Sequence, residues 1–109
     1  MSDHALDRLF ATIAARKGAD TQTSYTASLL AAGPQKCAKK FGEEAVEAVI
    51  AGACSDAHAL TAESADVLYH LAVLWAAVGV TPEDVYAALK AREAQSGLQE
   101  KASRAKTAP

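Results

Sequence analysis

The residues best suited to chemistry in this chain are carboxylates set in two short-spaced groups. Glu44 and Glu47 stand three apart and Glu43 and Glu47 four apart, so all three lie along one side of a helix. Glu63 and Asp66 repeat the three-residue spacing further on. Like charges at these spacings repel, and a bound cation reverses the sign of that interaction. If the two helices pack antiparallel, Glu44, Glu47, Glu63 and Asp66 converge between them. An all-oxygen set of this kind suits Mg²⁺ or Mn²⁺, hard ions that bind carboxylates and substrate phosphates while keeping several waters. Zinc is disfavoured, because Cys and His at short ligand spacings are missing. A ferritin-like di-iron site wants Glu-x-x-His, whereas Asp66 and His70 are four apart.

Either acidic pair alone reads as an ordinary solvated helix face, and two pairs in adjacent helices keep the metal reading and the solvated reading both open. Lys36 and Lys40 share the face of Glu43 and Glu47. Lysines beside a metal-holding cluster are what a polyphosphate needs, since ammonium groups offset the charge the metal leaves. A run of salt bridges along one face, worth a few tenths of a kcal/mol per pair, explains the same pattern. Arg92, Lys101 and Arg104 taken alone read as solubilising charges. His70 lies one turn beyond Asp66 and reads as a satisfied core histidine. Tyr69 and Trp75 read as packing groups, and His4 and His58 carry no legible signal.

The elements that position these residues are helical. Pro occurs only at 34, 82 and 109, and no stretch alternates as a half-buried strand does, so the fold class is all-α: a bundle of about four to five helices. A first helix is expected from about Asp3 to Arg16, with Leu6, Leu9, Phe10 and Ile13 on its apolar face. A short helix around Tyr25 to Ala32 ends at Gly33, and Pro34 opens the next, where its missing N–H is harmless. That helix runs to about Cys54, weakened by Gly42 and Gly52 by up to ~1 kcal/mol each. Ser55 or Thr61 caps a fourth helix that continues to Val78 and stops at Gly79. Thr81-Pro82-Glu83-Asp84 reads as an N-cap, an N1 proline and two acids in the first turn of a last helix that fades near Gln95. Residues 1–95 thus form one helical domain, and 96–109 a polar tail expected to be mobile until substrate orders it.

The composition narrows the function classes. With 109 residues, 50% apolar but only 6% aromatic, the chain makes a thin, alanine-rich core, which makes self-association expected. A net charge of −2 lacks the basic excess of a nucleic-acid-binding domain. No window approaches the ~20 apolar residues of a membrane span, and the Met1-Ser2-Asp3-His4 start is too polar for a secretory signal, so no membrane partner and a cytoplasmic location are expected. Cys37 and Cys54, 17 residues apart on one helix, are too distant for an intrachain disulfide and read as small core residues in a reducing compartment.

The sequence resembles the phosphoribosyl-ATP pyrophosphohydrolase family, within the MazG-like all-α nucleotide pyrophosphohydrolases. The likeness spans nearly the whole chain. It rests on Ser24-Tyr25-Thr26-x-x-Leu29, Gly33-Pro34-x-Lys36, Lys39-Lys40-x-Gly42-Glu43-Glu44-x-x-Glu47, and Glu63-x-x-Asp66-x-Leu68-Tyr69-His70-Leu71. It continues in Arg92-x-x-x-Ser96-Gly97-x-x-Glu100-Lys101-Ala102-Ser103-Arg104. The Ser-Tyr-Thr, Leu-Tyr-His and tail elements are specific to the phosphoribosyl-ATP branch, whereas the Glu-x-x-Glu and Glu-x-x-Asp pairs mark the wider superfamily. The paired Ala31-Ala32 and Cys37 are the departures, and neither touches the acids.

The resemblance implies cleavage between the α and β phosphates of phosphoribosyl-ATP, releasing phosphoribosyl-AMP and pyrophosphate, by a homodimer of helical bundles. Added to the reading of the acids, it gives Mg²⁺ held on Glu44, Glu47, Glu63 and Asp66, with Glu43 or Glu47 orienting the attacking water. Lys36, Lys40, Arg92, Lys101 and Arg104 become candidate substrate contacts. Two other readings of the same residues are a general house-cleaning nucleoside triphosphate pyrophosphohydrolase and a non-catalytic helical interaction module.

Overall fold

A computed structural model describes residues 4–93, and among them every regular element is a helix. The helices are α1 (Ala5–Ala15), α2 (Tyr25–Ala32), α3 (Pro34–Ala53), α4 (Ala57–Val78) and α5 (Pro82–Glu93). The expected tail, with Lys101 and Arg104, lies outside the described residues.

Local chemistry accounts for most of the boundaries. α1 opens at Ala5 because the Nδ1 of His4 accepts from the Leu6 N–H at 3.1 Å, a capping role that the sequence reading did not give this histidine. Ser24 Oγ caps α2 by accepting from Ala27 N–H at 3.1 Å. Gly33, at φ +98°, ends α2 and leads directly into Pro34 at the start of α3, a backbone angle that disfavours side chains. Gly79, left-handed at φ +89°, closes α4. The chain then bends by 109° into α5. There Thr81 Oγ1 accepts from Asp84 N–H at 3.2 Å and Asp84 Oδ2 accepts from Thr81 N–H at 2.9 Å, a reciprocal cap.

The cap of α4 differs from expectation. Neither Ser55 nor Thr61 serves; Asp56 Oδ1 accepts from Ala59 N–H at 3.0 Å. Ser55 is committed elsewhere. It adopts φ +55°, its N–H bonds Gly52 O at 3.0 Å, and Asp56 N–H bonds Ala51 O at 3.1 Å. This is the Schellman pattern of hydrogen bonds that ends a helix, with serine where glycine is usual.

α3 and α4, joined by this turn, pack as an antiparallel hairpin more extensively than any other pair. α1 and α2 cover only one end of it. The buried core joins Ile13 of α1, Leu29 of α2, Cys37 of α3, and Ala72 and Val73 of α4, with Phe10 and Trp75 packed against it at 6.5 Å between ring centres. α5 docks on α1, where the Tyr86 hydroxyl donates to Asp7 Oδ1 at 2.7 Å. The other end of the hairpin lacks such cover, and Val46, Val49, Ile50 and Leu60 are exposed there. No single helix among the described residues is long and apolar enough to cross a membrane.

The two cysteines part company. Cys37 is a core residue, as expected; its Sγ donates to Leu29 O at 3.2 Å and burial pushes its thiol pKa up. Cys54 is exposed, because it caps α3 at the uncovered end, so its assignment to the core is corrected.

Candidate active site

The α3–α4 turn sets the register of everything beyond it. Glu47 lies seven residues before Cys54 and Glu63 seven after Asp56; Glu44 and Asp66 lie ten residues out on the same terms. Two helices leaving one tight turn at equal rise bring these pairs to the same levels. Glu44, Glu63 and Asp66 each place a carboxylate oxygen within 4.8 Å of the other two. Three of the four expected ligands therefore come together. Glu47, outside that trio, is exposed beside Glu63 and shares the wall of a cavity with it.

Glu63 is the centre of the group. Its Oε2 is buried and has no hydrogen-bond partner among the described residues. Burial first, and then the negative charges of Glu47, Asp66 and Glu44, hold its carboxyl pKa above the ordinary carboxylate value. An orphaned, desolvated oxygen among like charges is an arrangement that a hard divalent cation relieves and solvent does not. The donor set fits Mg²⁺ or Mn²⁺ and offers nothing softer.

The basic groups are placed less uniformly. Lys40 donates to Glu43 Oε2 at 3.4 Å, and that hydrogen bond, followed by the charges of Tyr25, Glu43 and Glu44, raises its pKa and keeps it cationic beside the acids. Glu43 is thus exposed and engaged with Lys40, outside the trio. Lys36 is exposed one turn further toward the start of α3. Arg92 is exposed near the end of α5, a helix whose principal packing partner is α1.

Two features escaped the sequence reading. His70 is buried, as expected of a core residue, but its Nδ1 has no hydrogen-bond partner among the described residues, so it is not satisfied there. It lies edge-on to Tyr69, with 4.9 Å between ring centres, and to Tyr25 at 6.3 Å. Tyr69 does more than pack: its hydroxyl hydrogen-bonds Thr26, tying α2 to α4. Together with the Ser24 cap this fixes the start of α2 and holds Tyr25 outward, 55% exposed. The Ser-Tyr-Thr and Leu-Tyr-His runs carried the signal, but which members bond and which face outward depends on the packing of α2 on α4.

Toward the turn, a cavity of about 310 Å³ opens between the helices. Ile50, Ala51 and Ala59 form its apolar wall, Cys54 and Asp56 line its turn end, and Glu47 and Glu63 line its other end.

Comparison with known proteins places the chain in a family. Residues 6–93 match the phosphoribosyl-ATP pyrophosphohydrolase family. The chain is 61% identical to the phosphoribosyl-ATP pyrophosphatase of Parvibaculum lavamentivorans, over 91% of each chain. It is 62% identical to that of Dinoroseobacter shibae, over 91% of this chain and 97% of the relative. For Paracoccus denitrificans the identity is 61%, over 91% of this chain and 92% of the relative. By the span of the match and the level of identity, the chain belongs to the phosphoribosyl-ATP pyrophosphohydrolase family.

Proposed function

We propose that this protein hydrolyses phosphoribosyl-ATP between its α and β phosphates, with Mg²⁺, to phosphoribosyl-AMP and pyrophosphate, an early step of histidine biosynthesis in the cytoplasm. The observation that carries the reading is the convergence of Glu44, Glu63 and Asp66 within 4.8 Å around an orphaned buried oxygen, in a chain of this family. These three residues would hold the ion, with Mn²⁺ as an alternative, and Glu47, outside the trio, is left free for the water. When bound, the ion neutralises phosphate charge and polarises the phosphoryl oxygens.

The remaining work falls to side chains. Glu47, exposed beside Glu63, takes the proton of the attacking water and orients it; Glu43, the other candidate, is already engaged by Lys40. Lys40 and Lys36 offset the charge on the phosphate chain. Arg92, Lys101 and Arg104 complete the basic set, the last two from the tail.

A second copy of the chain completes the fold. Val46, Val49 and Ile50 expose 57, 68 and 58% of their surface on one face of α3, an apolar stripe that a homodimer would bury. A general house-cleaning pyrophosphohydrolase is disfavoured because the similarity to phosphoribosyl-ATP pyrophosphatases runs through 91% of the chain. A non-catalytic module is disfavoured because a solvated acidic face has no need of the buried oxygen of Glu63.

The test is to incubate the purified chain with Mg²⁺ and phosphoribosyl-ATP, with ATP and dCTP in parallel, and to measure pyrophosphate. Release from phosphoribosyl-ATP far above the other two is the expected result. Equal release from all three would favour the house-cleaning reading, and none would favour the interaction module.

A further inference from the structure

Tyr86 ties α5 to α1 through Asp7, and Tyr69 ties α4 to α2 through Thr26. The two bonds are alike in kind and differ in what lies beside them. The register of the α3–α4 hairpin says where the second one falls. Cys37 stands seventeen residues before Cys54 and Val73 seventeen after Asp56, and both belong to the core, so the count that pairs Glu44 with Asp66 holds along the hairpin. By the same count Lys40 and His70 stand level, one turn from Glu44 and Asp66 on the way to the core.

Tyr69 and His70 therefore carry the start of α2 at the edge of the site. The Thr26 hydroxyl bonds Tyr69, and the Tyr25 ring stands edge-on to His70 with 6.3 Å between centres. Further along, Leu29 O accepts from Cys37 Sγ, so α2 runs toward the core with its first turn nearest the acids.

Eight residues are too few for a helix to hold itself in water, so that first turn depends on its anchors. Ala27 and Leu29 bury the inner side of α2, but Tyr25 is exposed and the Ser24 cap closes only a local loop. The Thr26 to Tyr69 bond fixes the turn to another helix. His70 adds no hydrogen bond of its own, since its buried Nδ1 has no partner among the described residues. What the turn presents is Tyr25, within electrostatic reach of Lys40, the ammonium that flanks Glu43 and Glu44. The Lys40 side chain is only 27% exposed. An ammonium sheltered from water acts more strongly on a phosphate chain than a fully solvated one.

We propose that Tyr69 is a positioning residue for the hydrolysis: its bond to Thr26 holds the first turn of α2, with Tyr25, on the flank of the acid cluster and keeps Lys40 sheltered there. This rests on the function proposed above and adds to it two residues, Tyr69 and Thr26, that act at one remove.

The test sets this tie against the other. Tyr69→Phe and Thr26→Val each remove the bond with little change of shape, Thr26→Ser keeps a hydroxyl for it, and Tyr86→Phe removes the tie between α1 and α5. Well below the melting temperatures, Tyr69→Phe and Thr26→Val should raise KM for phosphoribosyl-ATP about fivefold with kcat nearly unchanged. Thr26→Ser and Tyr86→Phe should leave KM within about twofold. A bond that is only structural would lower melting in Tyr69→Phe and Tyr86→Phe alike and leave KM alone in both, and that result overturns the proposal. So does a rise in KM for Thr26→Ser equal to that for Thr26→Val. If Tyr69→Phe does not fold, the two Thr26 variants decide.

A second readout uses the metal-free chain. Thr26→Val leaves the rings of Tyr25 and Tyr69 in place, so a shift of the His70 ring resonances in this variant reports movement of the start of α2. Those resonances should move in Thr26→Val and stay in Thr26→Ser and Tyr86→Phe. Unmoved resonances in Thr26→Val would overturn the tie. If the unaltered chain cleaves no phosphoribosyl-ATP, the function proposed above fails and this role with it; if it cleaves and KM is unmoved in the variants, the positioning role alone fails.

Discussion

Glu47 and Glu63 stand level across the α3–α4 hairpin, each seven residues from an end of the turn that joins their helices, and burial of Glu63 first, then the charge of Glu47, holds the Glu63 carboxyl above its ordinary pKa of 4.5. A carboxyl whose pKa is raised by folding contributes stability that is complete below the unfolded value and lost as pH rises through the folded one. The metal-free protein should therefore lose stability from about pH 4.5 upward through this group. Glu63→Gln removes the titration. In EDTA it should melt higher than the unaltered chain at pH 7 to 8, show no Mg²⁺-dependent rise in melting temperature, and lack turnover. Thermal melts across pH check the first two effects, and pyrophosphate release the third. A variant with full activity would remove the metal site.

The α1 to α5 tie has a pH dependence of its own. Its hydrogen bond to Asp7 raises the Tyr86 hydroxyl pKa to about 12. The sign is that of a proton held more tightly when folded, so the contribution is full below the ordinary pKa of 10 and fades as pH climbs toward 12. Tyr86→Phe should melt lower than the unaltered chain at pH 8, and the gap should close between pH 10 and 12. Equal melting at pH 8 would show that the bond adds nothing.

Ser55 holds a left-handed backbone at a cost of about 1–2 kcal/mol for a residue with a Cβ. Ser55→Gly relieves that strain but loses about 0.5–1 kcal/mol to the greater freedom of the unfolded chain. A net gain of roughly 0.5 kcal/mol is expected in urea unfolding. A loss would mean that the serine side chain stabilises the turn.

For assembly, the 68% exposure of Val49 makes it the most exposed residue of the α3 stripe. The unaltered chain should sediment as a dimer at micromolar concentration, and Val49→Glu as a monomer, because a buried unpaired carboxylate costs far more than an exposed valine. A stable, active monomer of the unaltered chain would contradict this.

Truncation after Gln95 tests the tail. The described fold lies entirely before that point, so Mg²⁺ binding should persist. KM for phosphoribosyl-ATP should rise strongly, and residual cleavage of ATP, which lacks the extra phosphate, should change less. Equal changes for both substrates would deny the tail a part in specificity.

Much of this was legible in the sequence because caps are local. Gly33-Pro34, Gly79 and Thr81-Pro82 each fix a boundary through atoms a few residues apart, and those boundaries stand where expected. The convergence of Glu44, Glu63 and Asp66 was legible only on the assumption of an antiparallel pair, since it depends on the register of the turn. That register runs through Ser55, whose left-handed backbone has no signature in a non-glycine residue. The cap falls on Asp56 for the same reason, the turn being one residue longer than a Ser55 cap would make it. Cys54 was misplaced because apolar periodicity says which face is oily and not which end of a helix is covered. The Nδ1 of His70, unpaired among the described residues, lies where α2 packs on α4, and nothing in the residue's neighbours along the chain announces it.

The core clasps the hairpin at one end and leaves the clustered acids between it and the uncovered turn, so the two halves of α3 and α4 need not open together. Amides between about Val46 and Glu63, lacking a third helix over them, should exchange with solvent through a local unzipping that starts at the turn, while those near Cys37 and Val73 wait for global unfolding. Cation, nucleotide and a second chain would each act on the same loose end. Each should then bind more tightly once another has closed it, a cooperativity that needs no change of fold.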